Sequence, residues 1–149
     1  MLRTTRAVAV AAALATTVAL AGAASASAAT SISGLPSSAP IINKLYVPVA
    51  LTASCDALDP FYSFGSASVT IRQVVSGKKV AHGTASLSSL TCDGTPHSYT
   101  VDVFPDSGGG FPGGSDSPLF TKGDAVVTAQ LWAYPASASA GPQPITLTK

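Results

Sequence analysis

One stretch of this chain alternates strictly between apolar and polar side chains, and that pattern indicates a β-strand. Gly123-Asp124-Ala125 begins it, followed by an apolar parity of Val127, Ala129, Leu131 and Ala133 and an opposite parity of Thr128, Gln130, Trp132 and Tyr134. Successive side chains of a strand point to opposite faces, so this strand should bury one face and expose the other. Beyond the N-terminal leader, no segment longer than about ten residues has the 3.6-residue period of an amphipathic helix. The sequence therefore predicts an all-β domain.

Shorter segments with strand character lie before and after this one, separated by Gly- and Pro-rich turns: Val47–Cys55, Ala67–Val75, Val80–Cys92, His97–Phe104 and a last strand with Ile145 and Leu147. Gly83 is expected to break the run that begins at Val80. This makes about seven short strands in about 110 residues, a spacing typical of a single immunoglobulin-like β-sandwich. Residues 107–118 are rich in glycine and are expected to form a long loop.

The first 28 residues are expected to be a secretory signal peptide rather than part of the fold. Arg3 and Arg6 form a basic start, and the uncharged run Ala7–Ala24 leads to overlapping A-x-A sites, with cleavage expected after Ala28. An N-terminal membrane helix is the alternative, which the alanine-rich run disfavours because alanine is only weakly apolar. The protein is therefore expected to be secreted, with no membrane anchor after cleavage.

The chain beyond the leader divides into two parts and carries little charge. Residues 29–43 are rich in Ser, Ala and Pro and are expected to form a flexible arm, and residues 44–149 are expected to form the sandwich domain. Two of the eight Lys and Arg residues lie in the leader, so six cations face seven acids, all of them Asp. Nucleic acid is therefore not expected as a partner, because no basic patch is present.

The only two cysteines, Cys55 and Cys92, are predicted to form a disulfide. Export places them in an oxidising compartment, where an even number of cysteines usually indicates bridges. A bridge that closes a loop of about 38 residues would stabilise the fold by about 4 kcal/mol. The alternative makes Cys92 a nucleophile with His97 as its base, which would require Cys55 to stay unpaired and the two side chains to converge.

Three segments of the sequence suggest a family: LTASCD at residues 51–56, LTCDGTPHSYTVDVFP at 90–105 and FTKGDAVVTAQLWA at 120–133. Over Leu45–Lys149 the chain resembles small secreted immunoglobulin-like proteins of high-G+C Gram-positive bacteria, a family of unknown function. The resemblance implies a β-sandwich and an extracellular location. In antibody domains the strand corresponding to Gly123–Ala133 carries a tyrosine and a cysteine, whereas Val127 and Ala129 occupy those positions here. The resemblance therefore implies that the usual bridge to this strand is absent and that Cys55 pairs with Cys92.

Aromatic side chains provide the candidates for a ligand-binding surface. Trp132 and Tyr134 share the parity opposite to the apolar set, so on an exposed face their rings would lie about 7 Å apart and could stack on a sugar. Tyr62 belongs to a second aromatic group, on the loop between Asp56 and Gly65. The alternative is that Trp132 packs under a neighbouring loop or into the core, because large aromatic side chains usually dominate cores.

Catalytic and metal sites have weaker support in the sequence. His82 and His97 are expected to be surface residues without a charge partner, and no G-x-S-x-G motif is present. Six aspartates could form two groups, Asp102, Asp106 and Asp116 in one and Asp56, Asp59 and Asp93 in the other. Their spacing matches no calcium-binding loop, so they are expected to be solvated turn residues. No catalytic residue, metal site or cofactor is therefore expected.

The sequence thus predicts a secreted, non-catalytic, immunoglobulin-like protein with an extracellular binding or structural role. Its expected partner is an extracellular ligand such as a cell-wall glycan or a protein. Two finer functions stay open: a carbohydrate-binding module that uses an aromatic platform, and an apoprotein that carries a small molecule.

Overall fold

The computed structural model describes residues 29–58, 65–77, 79–106 and 117–149, and the regular structure in these ranges is entirely β-strand. The strands are β1 (Ser31–Ser33), β2 (Ser38–Pro40), β3 (Val47–Ser54), β4 (Gly65–Ser76), β5 (Lys79–Leu87), β6 (His97–Val103), β7 (Gly123–Ala133) and β8 (Ala136–Thr148). They form a three-stranded sheet in the order β1-β3-β6 and a five-stranded sheet in the order β2-β8-β7-β4-β5. The predicted all-β sandwich is confirmed.

The strand order is that of an immunoglobulin-like sandwich. β3 and β6 correspond to strands B and E of one sheet, and β5, β4, β7 and β8 correspond to C′, C, F and G of the other. The first strand is divided between the sheets, because β1 pairs antiparallel with β3 whereas β2 pairs parallel with β8. The chain passes from β5 to β6 without a described strand at the position of D.

The core lies between the two sheets and is built from the parities that the sequence indicates. The apolar side chains of β3, β4 and β7 that alternate towards the interior are all buried: Val47, Val49, Leu51, Ala53, Ala67, Val69, Ile71, Val127, Ala129, Leu131 and Ala133. β6 adds Val101 and Val103, and β8 adds Ile145 and Leu147. Each fully buried Val, Leu or Ile contributes about 1.5–3 kcal/mol, so this set is the main source of stability.

The N-terminal segment differs from the flexible arm predicted for residues 29–43. Both of its strands bury their central residue, Ile32 in β1 and Ala39 in β2. Ser31 pairs with Ser54 in one sheet, and Pro40 pairs with Thr148 in the other. Three-residue strands are too short to give an alternation signal of their own, and tertiary pairing decides their structure.

The last strand is much longer than predicted. β8 begins directly after the turn Tyr134-Pro135 and continues past two further prolines. Its pairing with β7 shifts register between Val127 and Ala129, opposite Gly141, which has a φ of +87°. A Cβ at Gly141 would lie 2.6 Å from the carbonyl oxygen of Val127, so only glycine fits this bulge. The Pro and Gly residues therefore belong to an irregular part of β8, which pairs with β7 on one side and has no partner from β2 before Thr146, and not to a loop.

Gly83 does not break β5, contrary to prediction, and its lack of a side chain serves another purpose. β5 pairs with β4 continuously from Val80 to Leu87. A Cβ at Gly83 would lie 2.3 Å from the carbonyl oxygen of Phe104 and 2.9 Å from the ring of Phe120. Glycine therefore allows the chain beyond β6 to cross closely over β5.

The predicted disulfide between Cys55 and Cys92 is confirmed, with a Cα–Cα distance of 4.7 Å. It joins the residue after β3 to the connection between β5 and β6. The backbone N–H of Gly94 donates to the carbonyl oxygen of Cys55 at 2.9 Å, which holds the same connection by a second bond. Gly65 lies against the bridge, since a Cβ there would be 2.9 Å from the sulfur of Cys92.

Candidate functional site

The candidate site lies on the outer face, by which we mean the side of the five-stranded sheet that points away from the core. Three cross-strand rows of this face carry hydroxyl, amide and indole side chains and no charge: Ser66, Trp132 and Ser137; Ser86, Ser68, Gln130 and Ser139; Thr84, Thr70 and Thr128. Neighbouring strands are about 4.8 Å apart and same-face residues of one strand about 7 Å apart, so the rows form a regular polar grid.

Trp132 stands out on this grid because its side chain is 47% exposed. Its cross-strand neighbours are Ser66 on β4 and Ser137 on β8, and both are too small to cover an indole ring. A shallow depression beside the ring is lined by Gln130, Ser137 and Ser139. The alternative that Trp132 packs into the core is therefore wrong, and the exposed sheet face that the aromatic hypothesis needs is present.

Tyr134 lies in a turn, not on the strand that carries Trp132. β7 ends at Ala133, which pairs with Ala136, so Tyr134 and Pro135 form the two-residue turn to β8. Tyr134 is 64% exposed and lines a cleft of about 430 Å³ at this end of the sandwich, together with residues 56–58 and Thr30. Pro135 was the available sign that the strand stops here. Tyr62 lies outside the described residues.

The other end of the outer face is apolar, which the sequence analysis missed. Val74, Val80 and Val126 are exposed there and lie around Arg72. Val74 pairs with Val80, and Arg72 pairs with Val126. The parity of Val74 and Val126, which matches that of polar residues on their own strands, was a readable signal for this patch. The two ends of the outer face therefore differ in chemistry.

His82 has a charge partner after all, since its Nδ1 contacts Oδ2 of Asp106. Oδ1 of the same carboxylate accepts a hydrogen bond from the backbone N–H of Thr84 at 3.1 Å. Ser117 is close as well, but its Oγ accepts from the backbone N–H of His82 at 2.7 Å and does not meet the imidazole ring. The cluster therefore caps the free edge of β5 and lacks the serine-to-imidazole contact of a nucleophilic triad.

His97 also has a carboxylate partner, Asp93, four residues before it. Oδ1 of Asp93 accepts hydrogen bonds from Thr95, at 2.7 Å from the hydroxyl and 2.9 Å from the backbone N–H, and lies 3.0 Å from Nε2 of His97. The bonds from Thr95, followed by the bond from His97, lower the pKa of Asp93 to about 2. This arrangement is an Asx turn that leads into β6, and Cys92 beside it is held in the disulfide.

Comparisons with protein-family models, with curated proteins and with solved structures found no match for this chain. Within the described ranges, no three His, Cys, Asp or Glu side chains are placed to hold a metal ion together. No helix long and apolar enough to cross a membrane occurs among the described residues.

Proposed function

We propose that this protein is a secreted, non-catalytic binding domain and that its outer face binds a glycan through Trp132. The observation that carries the proposal is an indole ring, 47% exposed, in a grid of uncharged serine, threonine and glutamine side chains. The disulfide is compatible with the extracellular location that the leader indicates. The resemblance to secreted immunoglobulin-like proteins of Gram-positive bacteria favours the same location.

The chemistry of the outer face suits a sugar better than a charged ligand. A pyranose ring presents C–H bonds on its faces, and these pack against the electron-rich face of an indole. Hydroxyl and amide groups beside the ring, such as those of Gln130 and Ser139, can both donate and accept hydrogen bonds to sugar hydroxyls. Tyr134, two residues further along, would extend the contact around the β7–β8 turn.

The assignment as a binding domain rather than an enzyme rests on the uses of the titratable groups. Asp106 and Ser117 bond to the backbone of β5, and Asp93 and His97 bond to each other in a turn. Groups that are satisfied by local backbone and turn contacts are poorly placed to exchange protons with a substrate. The residues around Trp132 are Ser and Gln, which supply hydrogen bonds to a ligand.

The test is depletion of the exported protein from solution by insoluble glycans: cell-wall sacculi, chitin and cellulose. We expect saturable depletion on one of them, and Trp132→Ala should weaken it by about tenfold or more, as for a central aromatic contact. The matched control is Phe104→Ala, since Phe104 is 52% exposed but follows β6 of the other sheet. Unchanged depletion by Trp132→Ala, or equal loss in both variants, would refute the glycan proposal.

A further inference from the structure

A second surface, unrelated to the outer face, lies where β7 begins and β8 ends. An apolar groove of about 430 Å³ opens there, with Ile41, Leu119 and Phe120 on its walls and floor. Leu119 is 55% exposed, whereas Phe120 is buried and reaches the core. The volume is in the range of about 300–1,000 Å³ that is usual for small-ligand sites.

Three lysines surround this groove: Lys44, Lys122 and Lys149. They are half of the six cations that follow the leader, and none of the described residues that line the groove is acidic. Lys44, Lys122 and Lys149 therefore place positive charge at the rim of an apolar hollow.

Hydrogen bonds to the backbone hold both walls of the groove in place. Gln73 is only 2% exposed, and both ends of its amide bond to the backbone of Thr121. Its Nε2 donates to the carbonyl oxygen of Thr121 at 2.6 Å, and its Oε1 accepts from the N–H of Thr121 at 2.9 Å. On the other wall, the N–H of Ile41 donates to the carbonyl oxygen of Thr148 at 2.9 Å. The groove is thus a built feature of the fold rather than a gap between loose segments.

Lys44 occupies a backbone conformation that lysine rarely adopts. Asn43 and Lys44 have φ values of 52° and 59°, and the N–H of Leu45 donates to the carbonyl oxygen of Ile42 at 2.9 Å. These are the features of a type I′ turn, whose second central position is normally glycine. A side chain there costs backbone strain, and in this protein it places an ammonium group at the rim of the groove.

We propose that the groove binds a free single-chain amphiphile with an anionic head group, of the fatty-acid type. The alkyl chain would cover Leu119 and Phe120, and the head group would lie between Lys44 and Lys122. A hollow lined on its inner side by apolar groups and on its rim by cations matches such a molecule in both shape and charge. This site would make the protein a small-molecule carrier in addition to its proposed glycan binding.

The experiment is calorimetric titration of the purified protein with sodium dodecanoate, kept below its micelle concentration. We expect saturable binding with a negative heat-capacity change, because apolar surface is removed from water. Raising the salt concentration should weaken binding, since the lysines at the rim are exposed and screened. Dodecyltrimethylammonium, which has the same alkyl chain and the opposite charge, should bind much more weakly.

Single substitutions test the charged and the apolar contacts of the groove separately. Lys44→Gly should weaken dodecanoate binding about three- to fivefold. Glycine loses more conformational entropy on folding than lysine, but it removes the strain of a left-handed backbone at this position. These two effects should offset each other, so the Tm of the variant should not fall. Lys79→Ala, a lysine of β5 outside the groove, is the control for charge. Leu119→Ser should abolish binding, and Leu45→Ser is its control, because Leu45 is 56% exposed and does not line the groove.

Several outcomes would overturn the proposal. Absence of saturable dodecanoate binding, or equal binding of the cationic analogue, would remove its basis. Binding that survives both Lys44→Gly and Leu119→Ser would place the ligand elsewhere. Sedimentation with anionic phospholipid vesicles but no binding of free dodecanoate would make the groove a membrane contact instead. Trp132→Ala should leave dodecanoate binding unchanged, so this proposal and the glycan proposal can fail separately.

Discussion

Removal of the disulfide is the perturbation whose magnitude follows most directly from the structure. Cys55 and Cys92 are 37 positions apart, so the bridge closes a loop whose entropy is restored to the unfolded chain when it is removed. For a loop of this length the loss of stability is about 4 kcal/mol. Domains of this size are stable by only about 5–15 kcal/mol in total, so the variant Cys55→Ala/Cys92→Ala should still fold but with little reserve.

Urea unfolding followed by circular dichroism measures this loss. With an m-value of about 2 kcal/mol/M, the midpoint of the double-alanine variant should fall by about 2 M. The wild-type protein with its disulfide reduced is the control, because it restores the loop entropy but keeps both sulfur atoms in their places. A fall of less than about 0.5 M in both samples would refute the loop-entropy argument and indicate an unfolded state that stays compact without the bridge.

Three further predictions concern single side chains. Gly83→Ala should lower the free energy of unfolding by about 3 kcal/mol in chemical denaturation, because its Cβ would collide with the carbonyl of Phe104; a neutral result would mean that this crossing is loose. Gln73→Leu should cost about 1–3 kcal/mol, measured the same way, because the N–H and carbonyl of Thr121 lose their partner. The pKa of Asp93 is lowered to about 2, so its carboxylate stabilises the fold above the usual pKa of 3.8 and this contribution is lost as the pH falls through 2. Asp93→Asn should therefore lower Tm at neutral pH, and the difference from the wild type should disappear below pH 2.

The parts of the fold that the sequence predicts are those in which a single strand carries its own signal. The alternation from Val127 to Ala133 indicates both the strand and its buried face, because a period of two leaves only one choice of inward parity. The disulfide was also predictable, since only two cysteines exist and only one pairing is possible. Local pattern and cysteine number were sufficient for these features.

The features that the sequence does not predict depend on partners distant in the chain. Ile32 and Ala39 belong to strands only because β3 and β8 accept them as neighbours. Asp106 meets His82 across 24 positions of sequence, a contact that no local pattern encodes. At the groove the separation is larger still, because Gln73 holds Thr121 across 48 positions of sequence. Such contacts arise from the tertiary fold, which overrides local propensity.

Two residues at the candidate binding surfaces, Trp132 and Lys44, depart from local rules of sequence. Trp132 is an exposed indole among serines, where a threonine would satisfy the strand equally well. Lys44 is a lysine in a turn position that favours glycine. Lys122 at the groove directly precedes β7 and lies ten residues before Trp132, which is about 33 Å at the rise of a strand. Departures from local sequence rules are expected at functional sites. Trp132 therefore supports a function for the outer face and Lys44 supports a function for the groove, and the two lines of support are independent.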